Sequence, residues 1–161
     1  MTARARLRVD LARQQLRLDG AEGTRTYSVS TSRFGAGERN GSGGTPRGAH
    51  LVRACIGAGA PPGTVFVGRR PTGEILTPAL YAAEPGRDWI LTRILWLSGT
   101  EPGRNRLGDV DTMRRYIYIH GCPDEEPVGT PRSHGCVRMR NADVIELFDL
   151  VEPGTPVVIE E

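Results

Sequence analysis

Short apolar stretches separated by glycine and proline limit how this chain can fold more than any other feature. Glycine (21 residues) and proline (12 residues) make up about a fifth of the 161 positions, above their usual share of roughly an eighth. Both residues interrupt regular elements, because glycine costs backbone entropy and proline lacks an N–H donor. The sequence therefore predicts a mostly β domain of short strands and turns.

The first strand shows the clearest alternation of apolar and polar residues. Leu7, Val9 and Leu11 share one face, and the polar residues between them share the other. The stretch 15–18 follows and stops at Asp19-Gly20, which predicts a hairpin. Further strands are predicted at 26–30, 49–56, 64–67, 115–120 and 155–159. Residues 89–97 (WILTRILWL) suit a buried strand or a short helix equally well.

One helix is predicted near the C-terminus. Asn141 is a suitable N-cap, and Pro153-Gly154 ends the helical pattern. Apolar side chains recur between them at helical spacing: Val144, Leu147, Phe148 and Val151. The glycine-rich stretch 33–48 has no phosphate-binding motif and is predicted to be a flexible surface loop. With no repeat or linker in the sequence, residues 1–161 are predicted to form a single domain.

Charge and hydropathy exclude several classes of function. The formal net charge of +2 gives no support for binding nucleic acid or a membrane surface. No stretch approaches the roughly 18 apolar residues of a membrane span. The arginine-rich start has no apolar core of a secretory signal, so a cytoplasmic location is expected if Met1 is the native start. The sequence does not indicate an oligomeric state.

Two His-Gly-Cys triplets carry the candidate chemistry. His120 and Cys122 form the first, and His134 and Cys136 form the second, eleven residues further on. Together they could supply four zinc ligands, although one residue between paired ligands is a poor spacing for zinc. A disulfide between Cys122 and Cys136 is a second possibility, which the odd count of three cysteines disfavours. The third possibility is a nucleophilic thiol.

A thiol attacks only as a thiolate, so it needs an imidazole or a helix N-terminus to lower its pKa. Cys136 is predicted to have both, because His120 ends a neighbouring strand and the helix starts shortly after. Gly135 permits a tight turn whose backbone N–H groups could stabilise an oxyanion. Cys122 has no following helix, and Cys55 lies in an apolar strand and is predicted to be core.

These residues resemble the signature of the YkuD-type L,D-transpeptidase family, a histidine followed after a spacer by [S/T]-H-G-C and an apolar residue. The stretch 133–139 (SHGCVRM) fits that core, and Asn141 continues the pattern. Weaker similarity covers the opening hairpin, the strand 26–30 and Thr45-Pro46-Arg47-Gly48. The spacer of twelve residues between His120 and Ser133 is slightly short, and Cys122 stands where a threonine is common.

The resemblance implies a β-sandwich catalytic domain that needs no cofactor and no metal, with one main helix after the catalytic cysteine. Cys136 would be the nucleophile, His120 the general base, and the carbonyl of Gly121 would orient the imidazole. Residues expected to form the oxyanion hole or bind substrate are His134, Gly135, Ser133, Arg138 and Tyr118. For Arg138 a structural ion pair is an equal alternative, and for His134 so is a packing role in the turn. Tyr116, on the same predicted face as Tyr118, could also wall the pocket.

The implied substrates are peptidoglycan stem peptides. The thiolate would attack the carbonyl before a terminal D-alanine, leaving a thioester that water or an amine resolves. A cytoplasmic location favours water, and therefore an L,D-carboxypeptidase that trims tetrapeptides during muropeptide recycling. The alternative is an exported transpeptidase that forms 3→3 cross-links, and a non-catalytic zinc- or peptide-binding module is a third possibility.

Overall fold

The computed structural model describes residues 4–161. Over this range the chain forms ten strands and two α-helices. The strands are β1 (Arg6–Asp10), β2 (Gln15–Gly20), β3 (Gly23–Ser30), β4 (Gly48–Ile56), β5 (Thr64–Val67), β6 (Arg70–Ile75), β7 (Ile90–Gly99), β8 (Tyr118–Gly121), β9 (Val137–Met139) and β10 (Pro156–Glu160). The helices are α1 (Pro78–Ala83) and α2 (Asn141–Leu150).

All ten strands belong to one sheet that closes on itself. The strand order is β4-β10-β1-β2-β3-β9-β8-β7, and β7 pairs with β4 to complete a ring of eight. The pairs β1–β10 and β8–β9 are parallel, whereas the other pairs in the ring are antiparallel. The β5–β6 hairpin adds to the N-terminal end of β7. The fold is mostly β with one main helix, as predicted, and the layers of the expected sandwich are joined at both edges.

The main core consists of the side chains that these strands direct to one face. In β1 and β2, Leu7, Val9, Leu16 and Leu18 are buried, whereas Arg6 and Arg8 are not. Helix α2 adds Val144 and Leu147 to the same core, and the partly buried Phe148 of α2 and Val151, the extended residue that follows the helix, pack against it. The helical spacing read from the sequence is therefore confirmed.

The segment 89–97, which suited a strand or a helix equally well, forms a strand from residue 90 onward as part of β7, with hydrogen-bonded neighbours on both sides. One strand prediction needs correction. Residue 116 was expected inside a strand, but β8 begins only at Tyr118. Tyr116 lies in a turn with φ +57° and is 53% exposed, so it does not alternate with Tyr118 and His120. A left-handed residue ends the strand geometry that period-two alternation requires.

Three elements of the structure were not predicted from the sequence: β6, β9 and α1. Strand β6 is mostly exposed and contains proline and glycine, so it has no apolar alternation to recognise. Strand β9 has three residues and α1 has six, too short for a periodic signal. Thr77 does cap α1, since its side chain accepts from the N–H of Leu80, with Pro78 as the first helical residue.

The predicted N-cap of α2 is wrong by one residue. Arg140 occupies the cap position without a side-chain hydrogen bond, and Asn141 is the first helical residue. The Asn141 amide instead donates to the carbonyl of Cys122 at 3.0 Å and accepts from Thr92 Oγ1 at 2.5 Å. Asn141 therefore links the start of α2 to β7 and to the end of β8.

Among residues 4–161, neither helix has the length and apolar character needed to cross a membrane.

The core predicts where a truncation is costly. Leu147→Ala should lower the free energy of unfolding by about 2–5 kcal/mol, because Leu147 is fully buried and the change leaves a cavity. The matched control is Leu107→Ala, at a side chain that is 55% exposed, which should change it by less than about 0.5 kcal/mol. Urea unfolding followed by circular dichroism measures both, and equal losses would contradict the assignment of the core.

Candidate active site

An open pocket of about 460 Å³ lies on the outer face of β8, the face opposite the main core. Ile119 points into the core, so Tyr118 and His120 point outward into this pocket. The pairing of β8 with β9 matches Ile119 with Val137, which places Cys136 level with Tyr118 on the neighbouring strand. The pocket is lined by Gly68, Arg69, Asp88, Ile90, Arg115, Tyr116, Ile117, Tyr118, His120, Ser133, His134, Cys136 and Arg138.

The sulfur of Cys136 is held by backbone groups of the segment that leads into β8. The N–H of Tyr118 donates to Sγ at 3.3 Å, and the thiol donates to the carbonyl of Tyr116 at 3.4 Å. Cys136 is half-buried and faces the pocket. Its sulfur therefore has a fixed position beside an opening from which a substrate can approach.

His120 is 1% exposed, and one of its ring nitrogens has a backbone partner. Nδ1 lies 2.6 Å from the carbonyl oxygen of Gly121. A carbonyl only accepts, so a neutral imidazole in this position carries its proton on Nδ1 and keeps the lone pair on Nε2. This contact has the geometry that the orienting role of Gly121 requires.

Gly121 has no room for a side chain. A Cβ there would lie 2.7 Å from the carbonyl oxygen of Leu91 and would overlap the side chain of Asn141. Only glycine fits between β7 and the start of α2, so the carbonyl that binds His120 is held in a tightly packed position.

Burial shifts the pKa values of both His120 and Cys136. Desolvation lowers the pKa of His120, and the hydrogen bond to Gly121 only partly opposes this. Desolvation raises the pKa of the Cys136 thiol to about 12, opposed by the Tyr118 N–H and by the cations Arg138 and Arg115. Burial thus favours the neutral form of both the thiol and the imidazole.

The sequence analysis expected a lowered thiol pKa, with help from a helix N-terminus. The structure disagrees, since β9 separates Cys136 from the first residue of α2. Three extended residues span about 10 Å, which exceeds the range over which a helix dipole acts strongly. The start of α2 lies instead against Cys122, the residue that follows the histidine strand.

Cys136 lies at the end of a tight turn formed by residues 133–136. The buried Ser133 hydroxyl donates to the carbonyl of Cys136 at 2.5 Å and accepts from the N–H of Gly135 at 3.2 Å. Gly135 has φ +133°, and a Cβ there would lie 3.1 Å from Ile117 Cδ1. Ser133 therefore holds the turn in a conformation that glycine allows at position 135.

The same turn contains candidate oxyanion donors. Among the described residues, the N–H of Gly135 bonds to Ser133, whereas the N–H groups of His134 and Cys136 have no protein acceptor. Two backbone donors on either side of a glycine, next to the Cys136 sulfur, are the groups that an oxyanion hole uses.

Part of the glycine-rich loop braces this turn. The hydroxyl of Thr45, which is fully buried, donates to the carbonyl of Gly135 at 2.9 Å and accepts from the N–H of Ser32 at 3.0 Å. Arg115 donates to the carbonyls of Gly37 at 2.8 Å and Gly44 at 2.6 Å. The prediction of a surface loop is therefore wrong for residues 44–46, which are buried against the site.

The family follows from comparison with known proteins. The family model of the YkuD L,D-transpeptidase catalytic domain matches residues 4–159. The chain belongs to this family.

Two Bacillus subtilis (strain 168) proteins named as L,D-transpeptidases are similar over a short region. YqjB is 46% identical over 50 residues, which are 31% of this chain and 28% of that protein. YkuD is 44% identical over 46 residues, 29% of this chain and 28% of that protein. The matches thus cover less than a third of the curated relatives.

Solved structures show the same fold over the whole chain. L,D-transpeptidase 3 from Mycobacterium tuberculosis, in complex with a faropenem-derived adduct, has a TM-score of 0.61 at 14% identity, covering 99% of this chain and 61% of that one. An L,D-transpeptidase from Xylanimonas cellulosilytica DSM 15894 has a TM-score of 0.55 at 19% identity, covering 99% and 62%. At such identities the likeness concerns the fold. This chain spans about three fifths of each of these two structures.

The other residues expected in the site, Arg138, His134 and Tyr118, lie in different surroundings. Arg138, 9% exposed, pairs with Glu126 at 3.0 Å and Asp88 at 3.6 Å, which is the structural ion pair weighed as an alternative. Its Nε is buried without a partner among the described residues. His134 is exposed, and its Nε2 lies 2.8 Å from Nη2 of Arg33. Tyr118 is 4% exposed and forms a wall of the pocket.

The remaining cysteines lie away from the pocket. Cys122 is 3% exposed, its Sγ lies 3.3 Å from the carbonyl of Met139, and burial raises its pKa to about 11. Cys55 is partly buried against the core. All three cysteines are free thiols. Within residues 4–161, no group of three or more His, Cys, Asp or Glu side chains is placed to hold a metal ion.

Several pocket residues were not foreseen as site residues. Arg69 comes from the β5–β6 hairpin, Asp88 precedes β7, and Arg115 precedes β8. These are charged residues in turns or loops, where no periodicity indicates which way a side chain points. Thr45, which braces the turn and is not part of the pocket lining, belongs to the Thr-Pro-x-Gly stretch that the family resemblance had already marked, so that motif was a usable signal.

The raised thiol pKa predicts slow alkylation of the free protein. Modification of Cys136 by iodoacetamide should increase about tenfold per pH unit from pH 7 to pH 9, because only the thiolate reacts. Peptide mapping by mass spectrometry follows Cys136 by itself, and the protein unfolded in urea serves as the control with a thiol pKa near 8.5. A rate that is already at its plateau below pH 7 would show a thiolate–imidazolium pair instead.

The brace on the turn predicts an effect of Thr45→Val. Loss of the hydroxyl leaves the Gly135 carbonyl and the Ser32 N–H without this partner, and should lower the free energy of unfolding by about 1–3 kcal/mol. The rate of Cys136 acylation should fall as well. Thr72→Val is the control, because its hydroxyl contacts exposed Glu74 away from the pocket. Unchanged stability and acylation in Thr45→Val would contradict the bracing role.

Proposed function

We propose that this protein is a cysteine acyl-transfer enzyme of peptidoglycan that cleaves the bond before the terminal D-alanine of tetrapeptide stems. The observation that carries the proposal is the meeting of Cys136 and His120 in one open pocket, with His120 Nδ1 tied to the Gly121 carbonyl. Membership of the L,D-transpeptidase catalytic domain family supports the same class of substrate.

Acylation begins when His120 Nε2 accepts the proton of the Cys136 thiol. The sulfur attacks the carbonyl carbon of the third stem residue, and the carbonyl oxygen becomes an oxyanion. The N–H groups of His134 and Cys136, which have no acceptor among the described residues, donate hydrogen bonds to that oxyanion. The imidazolium then protonates the leaving amine, so D-alanine departs and a thioester remains on Cys136.

Proton transfer within this pair depends on the substrate. Both groups are neutral in the free site, since burial disfavours the charged form of each. Ion-pair formation becomes favourable only as the sulfur begins to bond to the carbonyl carbon. The neutral imidazole is nevertheless the form that a general base needs, and the lowered pKa of His120 keeps it available at neutral pH.

Water completes the reaction in the proposed L,D-carboxypeptidase. His120 accepts a proton from a water molecule that attacks the thioester, and the products are a tripeptide and the restored thiol. The open pocket supports this step because it gives solvent a path to Cys136. A cytoplasmic role in muropeptide recycling stays a prediction, to be tested by fractionation of cells that express the full-length protein.

Cross-linking is the second candidate. An amine of another stem would then attack the same thioester and form a 3→3 link. The names of the family and of the Bacillus relatives favour it, since both refer to transpeptidases.

The proposal predicts the products of an incubation with stem peptides. The protein should convert free tetrapeptide to tripeptide and D-alanine, both detected by mass spectrometry. Cys136→Ala should lower kcat/KM by at least about 10⁴-fold, because it removes the nucleophile. Cys122→Ala is the matched control and should keep most activity, since its thiol lies outside the pocket.

Three outcomes would contradict parts of this proposal. Cross-linked dimers without tripeptide, from an incubation with paired stems, would replace water by an amine as the acceptor. Activity lost in Cys122→Ala but kept in Cys136→Ala would refute the choice of nucleophile. Stoichiometric zinc, together with no acylation of Cys136 by a carbapenem, would point to a non-catalytic module.

A further inference from the structure

Three arginines line the pocket, and two of them use both terminal nitrogens or their main donors in contacts with other protein groups. Arg138 is paired with Glu126 and with Asp88, the acidic residue of the pocket. Arg115 donates to two backbone carbonyls and to Ser42 Oγ. These two side chains stabilise the walls of the site, so neither presents an uncommitted guanidinium to a ligand.

Arg69 differs from both. Its Nη1 donates to the hydroxyl of Tyr118 at 3.0 Å, and within residues 4–161 it forms no ion pair with a carboxylate. Its Cζ lies 4.8 Å from the ring centroid of Trp96 and 4.9 Å from that of Tyr116. A guanidinium has five N–H donors in a planar fork. The aromatic rings thus hold the plane of Arg69 while most of its donors stay available.

The backbone conformation also fixes the position of Arg69. Gly68 and Arg69 form the two-residue turn between β5 and β6, with φ of +56° and +65°. Two positive φ values match the tight hairpin turn that suits strand twist. A left-handed arginine is an uncommon conformation, and such strain persists where the surrounding structure holds it. Here the rings and the Tyr118 hydroxyl do so.

Two tyrosines connect Arg69 directly to the reacting sulfur. Tyr118 donates from its N–H to Cys136 Sγ and accepts from Arg69 at its hydroxyl. Tyr116 accepts from the thiol at its carbonyl and contacts Arg69 with its ring. The guanidinium therefore lies one tyrosine side chain away from the sulfur and lines the same pocket.

We infer that Arg69 binds a carboxylate of the substrate close to the carbonyl that Cys136 attacks, and so determines which peptides are processed. This inference rests on the proposed function. A fork of N–H donors suits a carboxylate better than any neutral group, because two parallel charge-assisted bonds form. Two carboxylates lie near the scissile bond: the C-terminus of the leaving D-alanine and the side-chain carboxylate of a diacidic third residue.

The test compares three tetrapeptides: the free acid, the C-terminal amide, and the peptide amidated at the third-residue side chain. Arg69→Gln should lower kcat/KM for the free acid by about ten- to a hundredfold, mainly through KM. Arg69→Lys should recover part of that loss, since it restores the charge without the fork. The matched control is Arg70→Gln at the adjacent exposed arginine, which should behave like the wild type.

The amides identify the carboxylate. The wild type should lose activity on one amide, and Arg69→Gln should lose no more on that peptide, because the interaction is already absent. If the C-terminal amide is the peptide on which the wild type loses activity, Arg69 binds the carboxylate of the leaving D-alanine. If it is the peptide amidated at the third-residue side chain, Arg69 binds that side-chain carboxylate. An equal loss in Arg69→Gln on all three peptides would show that Arg69 only supports the pocket walls, and would overturn the inference.

A binding measurement separates this inference from the proposed reaction. Calorimetry on Cys136→Ala, with and without Arg69→Gln, reports the affinity for each peptide without turnover. Binding that depends on Arg69 and a free carboxylate, in a protein whose wild type makes no product, would refute the reaction and support the carboxylate site. Product formation with no effect of Arg69→Gln on affinity or KM would support the proposed reaction and refute the carboxylate site.

Discussion

The parallel pairing of β8 with β9 is the interaction on which the site depends. It sets Ile119 beside Val137 and His120 beside Arg138. Parallel neighbours cannot be joined by a tight turn, so the chain must leave β8, cross the surface and return. The returning segment ends in the turn that carries Cys136. A shift of one residue in this register would turn Cys136 away from the face that holds His120.

Burial has opposite consequences for the two proposed catalytic groups. It favours the neutral form of His120, which is basic at Nε2, but it also favours the protonated form of Cys136. Nearby Arg115 and Arg138 favour the thiolate without overcoming desolvation. A carbonyl oxygen that gains charge beside Cys136 would find the backbone N–H groups of His134 and Cys136 in place.

How much the sequence could predict depended on the length of each signal. Alternation located β1, and helical spacing located the core face of α2. The His-Gly-Cys motifs located the sulfur and the imidazole, because that chemistry needs those residue types. Pattern could not locate β9, which has three residues, or reveal that Thr45 braces the turn. Pattern also could not show that burial raises the pKa of the Cys136 thiol or that β9 lies between Cys136 and α2, because both are properties of the folded chain.

The two His-Gly-Cys triplets differ because strand register, rather than the motif, assigns the roles. In the first, the histidine points into the pocket while Cys122 turns toward the Met139 carbonyl. In the second, Cys136 faces the pocket while His134 turns toward Arg33 on the surface. Even the glycines serve different purposes: a side chain at 121 would overlap β7 and α2, whereas 135 needs a positive φ. Two copies of one motif therefore each contribute a different half, an imidazole and a thiol, to the same pocket.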